Sequence, residues 1–199
     1  MKSFNFTYIK ASLALFPAFV KEMLQVVIAP RQGWQDTERA ALPVRTLIIQ
    51  GYIPFITIVA LSSFLPLIYR QSASVSVCLL DAISLFVRYF IGYFTASFML
   101  GYALKHILDN DSLPSADKTD RLVLYTLATL AFLSLIGNVC PVELALLRML
   151  PLYIVYVIWE ASWHMIIPAE RRFQFLGVTV LSCVIPLFLV HLFFALLNQ

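Results

Sequence analysis

Charge is scarce in this chain. Only 13% of its 199 residues are Asp, Glu, Lys or Arg, where a soluble domain carries about one quarter. The apolar share is 61% and the mean hydropathy +0.86. One soluble core of this size cannot hide so much apolar surface, so composition excludes an ordinary soluble domain and points to an integral membrane protein. Cysteine is rare as well. Cys78, Cys140 and Cys183 make no CxxC pair and no metal-ligand spacing. Cys78 and Cys140 could meet on one side of a membrane, but small apolar fillers suit all three. Catalytic signatures are missing: there is no HExxH, no GxSxG, no glycine-rich phosphate loop and no Walker sequence. His106 and Asp109 lie near His164 by topology, yet nothing brings four metal ligands together. These absences describe a chain that is not an enzyme, holds no cofactor or metal and has no nucleic-acid partner.

Long apolar runs are what the sequence does have. A helix needs roughly 20 apolar residues to cross ~30 Å of hydrocarbon, and five stretches qualify: about 46–69, 77–104, 122–139, 144–165 and 173–197. Between the second and third lies a polar loop, "KHILDNDSLPSADKTDR". The expected fold is all-α: a bundle of five transmembrane helices (residues 46–199) preceded by an N-terminal segment (residues 1–45). In that segment Leu13, Phe16, Val20, Met23 and Val27 share one helical side, while Lys10, Pro17, Lys21 and Gln25 share the other. This is an amphipathic helix that either lies in the membrane interface or packs beneath the bundle. Pro30 and Pro43 then turn the chain, and Trp34 is placed as an interfacial or partner-binding anchor.

Basic residues set the topology. With five spans, Lys2, Lys10, Lys21, Arg31, Arg39, Arg45, Lys105, Lys118, Arg121, Arg171 and Arg172 all fall on the side of the N-terminus. Arg70 lies in a loop opposite, and Arg88 and Arg148 lie within spans. The positive-inside rule puts the N-terminus in the cytoplasm and the C-terminus outside.

Four ionisable groups lie within spans: Asp81, Arg88, Arg148 and Glu160. Unpaired in hydrocarbon, each costs several kcal/mol, so each should face the bundle or water. Depth along the second and fourth spans brings Asp81 level with Arg148, and Arg88 within reach of Glu160 through a long side chain and some tilt. Two readings follow. One is a polar track for a proton or ion along Asp81, Arg88 and Glu160. The other is a set of ion pairs that fixes helix packing, with Glu160 snorkelling to the interface. His191 reads as a packed or interfacial histidine. Gly92, Ala96, Ser97 and Gly101 offer the second span a close helix neighbour. Pro54, Pro66, Pro151 and Pro186 place kinks.

Several of these features together resemble the Yip domain family, the Rab/Ypt-interacting proteins, and its small bacterial members most closely. They are the short amphipathic N-terminal segment, Pro30-x-x-x-Trp34, Pro54 early in the first span, "YIVYVIWEAS" in the fourth, and the five-span plan. The resemblance implies a multi-pass protein of the bacterial inner membrane that is not an enzyme. It would act in membrane organisation or as a scaffold, with the lipid bilayer, other membrane proteins or copies of itself as partners. By this similarity Glu160 is a family-pattern position. The eukaryotic members' Asp-Leu-Tyr-Gly-Pro element and long N-terminal region are not present, so no Rab-contacting role attaches to any residue here. The alternative expectation is a small ion or solute transporter that uses Glu160 and Arg88.

Overall fold

The computed structural model describes residues 6–39, 42–69, 74–108, 113–140 and 145–197, with side chains from 15 onward in the first segment and over 152–196 in the last. All regular structure in these residues is helical. The helices are α1 (Phe6–Ile28), α2 (Pro30–Arg39), α3 (Val44–Leu47), α4 (Ile53–Leu61), α5 (Pro66–Tyr69), α6 (Val75–Ile107), α7 (Ala116–Val139), α8 (Ala145–His164) and α9 (Arg172–Leu197).

Four helical stretches among the described residues are long and apolar enough to cross a membrane: Val44–Tyr69, Val75–Ile107, Ala116–Val139 and Ala169–Leu196. Large apolar side chains such as Phe94, Phe98, Leu181, Phe188 and Phe193 stand exposed on them, as lipid-facing surface requires. The chain is a multi-pass helical membrane protein. The remaining expected crossing, about 144–165, is helical as α8, but it does not count among these four.

The first span is broken where its prolines demand it. Proline lacks an N–H, and its ring collides with the carbonyl four residues back. Ahead of Pro54 the helix widens into a π turn over Ile48–Tyr52, which relieves that collision. It tightens to a 3-10 turn at Ser62–Phe64, and Pro66 starts α5, where its missing donor costs nothing.

The core is centred on α7, whose residues from Leu122 to Thr129 are all buried. Helix α6 packs against α4, α7 and α9, while α8 packs against α7, α9 and α2. Helices α6 and α9 come close at Gly92, where a Cβ would lie 2.8 Å from Leu187 Cδ2. The expected small-residue contact is therefore made there. Gly101, one turn beyond Ser97, has no atom within 4 Å of a Cβ position. Cys78, Cys140 and Cys183 are free thiols.

The N-terminal helices are part of this core. Phe19, Met23 and Val26 are buried, with Phe16, Val20 and Val27 packed beside them. Phe19 stacks on Tyr125 of α7 at 5.6 Å and meets Phe55 edge-on at 6.1 Å. The Tyr125 hydroxyl donates to the Glu22 carboxylate. Of the expected apolar side, Met23 is buried and Phe16, Val20 and Val27 are partly so; Leu13 lies outside the described side chains, and the face turned to protein is centred instead on Phe19, Met23 and Val26.

Candidate functional site

Two polar regions hold the residues singled out above, one at each end of the bundle. The first is the end where Arg31, Lys105, Lys118, Arg121, Arg171 and Arg172 gather. Helix α2 folds back on α1 here because Gly33 permits it: a Cβ at position 33 would lie 2.5 Å from the Val26 backbone nitrogen. Pro30 opens α2, a first-turn position it fits, and Trp34 follows one turn later. Trp34 is only 5% exposed. Its Nε1–H donates to the Val157 carbonyl of α8 at 3.0 Å, and its ring meets Tyr125 edge-on at 6.2 Å. The expected interfacial role of this ring is corrected, because protein encloses it on nearly every side. Pro30 is buried beside it.

Further contacts hold α2 in place. The Tyr153 hydroxyl of α8 donates to the Val27 carbonyl at the end of α1, 2.9 Å away. Arg121 of α7 donates to the carbonyls of Thr37 (3.2 Å), an acceptor that the last turn of α2 leaves open, and of Leu42 beyond it. Lys118 pairs with Glu38 at 2.8 Å. None of these partners was visible in the sequence, since each joins segments at least 79 residues apart.

Glu160 is partly buried at this end. It lines a groove of about 400 Å³ with Arg31, Gln35, Trp159, Trp163 and His164. Nearby, the Arg172 guanidinium covers the Trp163 ring at 3.4 Å, and its Nε donates to the Ile167 carbonyl at 3.2 Å. Trp159 packs on Phe173 at 5.4 Å. Among the described residues no cation comes within ion-pair distance of Glu160. The groove pairs a carboxylate with an arginine and two indoles, a set suited to polar headgroups at a membrane boundary.

The second polar region lies toward the other end, between α6 and α9. An Arg88 terminal nitrogen donates to His191 Nδ1 at 2.7 Å. A guanidinium can only donate, so Nδ1 accepts and the His191 proton sits on Nε2. Arg88 Nε is buried, with no hydrogen-bond partner among the described residues. One cavity of about 300 Å³ is lined by Ser63, Asp81, Ser84, Arg88, Asn138 and His191, among others. Another of about 340 Å³ is lined by Arg88, Tyr89, Ser134 and His191 with apolar neighbours. Asn138 donates to Ser62 at 2.9 Å, and the Tyr89 hydroxyl meets Ser134 at 2.8 Å.

The structure separates Arg88 from Glu160. Their helices, α6 and α8, pack chiefly on α7 and α9, and among the described residues Arg88 and Glu160 form no ion pair, so agreement in depth does not join the two side chains. His191 is the partner of Arg88 instead. Asp81 is exposed and lines the same cavity as Arg88 without an ion pair to it. The Arg148 side chain lies outside the described residues, and the expected contact with Asp81 falls there too. Comparison with family models, with curated proteins and with solved structures finds no match for this chain.

Proposed function

We propose that the chain is a membrane protein of the Yip type that is not an enzyme and organises lipid or protein partners from its basic end. One observation carries this reading. Two of the sequence elements behind the resemblance, Pro30-x-x-x-Trp34 and "YIVYVIWEAS", form one unit through the bond from Trp34 to Val157, 123 residues apart. That unit presents Arg31, Gln35 and the Glu160 groove at the bundle's end. In this reading α8 is the fifth crossing: its 20 residues rise ~30 Å at 1.5 Å each. The basic end faces the cytoplasm of a bacterial cell by the positive-inside rule.

The test uses proteoliposomes that contain acyl-labelled phosphatidylserine. Protein is expected to raise self-quenching by gathering the anionic lipid. Substituting exposed Arg31 and Arg171 together (R31Q/R171Q) should weaken this by about 1 kcal/mol per arginine. Quenching that ignores the protein, or the double substitution, would sink the reading.

The polar cavities that meet at Arg88 and His191 favour a second reading, a small transporter. It requires solute or ion flux in the same proteoliposomes that falls with R88Q. Flux that E160Q abolishes while R88Q leaves it intact would place the path elsewhere.

A further inference from the structure

We propose that the cavity between Asp81 and Arg88 recognises a zwitterion carrying an oxyanion and a primary ammonium, the charge pattern of an ethanolamine phosphate headgroup. This site lies away from the basic end and stands whether or not that end gathers lipid.

Arg88 carries a charge that no described carboxylate balances. Arg88 stays protonated under all ordinary conditions, and in a low-dielectric setting its charge demands a counter-ion. Its described partner is a neutral imidazole nitrogen. Its Nε is buried and has no described hydrogen-bond partner, and no described carboxylate lies within ion-pair distance. Asp81 has the opposite charge and lines the same cavity. The two are seven residues apart on α6, two turns along one face, a rise of ~10 Å. That rise is measured between backbones; the two side chains form no ion pair in this structure, and the cavity of about 300 Å³ that both line leaves room for a ligand that carries both charges. Neutral groups line the same cavity: the hydroxyls of Ser63 and Ser84, the amide of Asn138 and the imidazole of His191.

Depth agrees with a headgroup. Helix α6 has 33 residues and is ~50 Å long, against ~30 Å of hydrocarbon, so its ends reach the polar layers. Asp81 is six residues, ~9 Å, from the helix start, near the boundary, with Arg88 below it. An oxyanion on Arg88 and His191 then leaves the ammonium on Asp81. A primary ammonium donates hydrogen bonds to a carboxylate, while a quaternary one needs a cage of aromatic faces. Among the described residues that line the cavity, Phe194 is the one Phe, Tyr or Trp, too few for an aromatic cage, so ethanolamine is favoured over choline.

The experiment measures retention of phosphatidylethanolamine, phosphatidylcholine and phosphatidylglycerol by native mass spectrometry of the full chain, with free phosphoethanolamine as competitor. The unmodified protein is expected to prefer the ethanolamine lipid over each of the others by about tenfold. D81N should erase the preference over phosphatidylglycerol, because the oxyanion contact survives and the ammonium contact does not. R88Q should weaken retention of both. Displacement by free phosphoethanolamine means the site also takes a water-borne ligand; persistence of bound lipid assigns it to the bilayer. Equal retention of all three lipids by the unmodified protein overturns the proposal without any variant, as does a D81N protein with unchanged selectivity.

Discussion

Trp34→Ala is expected to destabilise the protein by about 3–5 kcal/mol, the range for removing a large buried aromatic. The ring fills the seat between α2, α7 and α8, and its N–H is the polar link to Val157. The Val157 carbonyl still sits in a helix after the substitution, so most of the loss comes from the emptied volume. Trp34→Phe separates the two contributions. It keeps an aromatic ring and loses the donor, so about 1–2 kcal/mol should go. Buried thiols supply the readout, because Cys78 and Cys183 are only 4% and 1% exposed. A thiol-reactive dye in detergent reports their exposure on heating, while Cys140, partly exposed, reacts early and marks the baseline. The midpoint should fall by roughly 10 °C for the alanine variant. An unchanged midpoint would mean that α2 is not seated on α8 in solution.

The same contacts bear on the N-terminal segment as a functional part. Removing residues 1–30 would strip Phe19, Met23 and Val26 from the core, so that deletion reports on folding before it reports on any partner. Point substitutions at exposed Arg31 and Arg171 leave the core alone, and they are the informative changes for the basic end.

What the sequence revealed, and what it hid, divides along one physical line. Helix positions along the membrane normal were legible from hydropathy: the expected stretch 77–104 is Val75–Ile107, and 173–197 is Arg172–Leu197. On α1 the 3.6-residue period singled out Leu13, Phe16, Val20, Met23 and Val27, but of those with described side chains only Met23 is buried, and Phe19 and Val26, which the period did not single out, are buried with it. Rotation about the normal was not legible, because lipid and protein ask for the same apolar side chains. Hence α1 read equally as an interfacial helix and as a packed one, and Trp34 read as an interfacial anchor. The Arg88 partner failed for the same reason. Depth matched Arg88 to Glu160, but which helices touch is a question of azimuth, and α6 turns Arg88 toward α9. Only Gly92 signalled that neighbour, and a small residue in an apolar helix names no partner. Arg121 carried no signal either, since a basic residue at a span's edge reads as a topology marker before it reads as a clamp on α2.

Three glycines allow the packing to be tested without touching any polar group. At Gly33 a Cβ would lie 2.5, 2.6 and 2.7 Å from backbone atoms of Val26 and Gln25. Backbone cannot rotate aside, so Gly33→Ala must push α2 off α1 and lift Trp34 from its seat, at a cost of about 3 kcal/mol, the upper end for overpacking. At Gly51 the obstacle is the Phe19 side chain, 2.5 Å away at its closest atom. The atoms met are the Cγ, Cδ2 and Cβ of a buried phenylalanine, which must move with part of α1, but they are side chain and not backbone, so Gly51→Ala should cost less than Gly33→Ala. At Gly101 no atom lies within 4 Å, and alanine there should gain up to about 1 kcal/mol from helix propensity alone. Thermal midpoints from the thiol assay are therefore expected in the order Gly33→Ala, Gly51→Ala, unmodified protein, Gly101→Ala, from lowest to highest. The order has more force than any single shift, because propensity acting by itself would make all three substitutions mildly stabilising. A Gly33→Ala protein that melts with the unmodified one would show that α1 and α2 are not in contact at Val26, and the seat of Trp34 would fall with that contact.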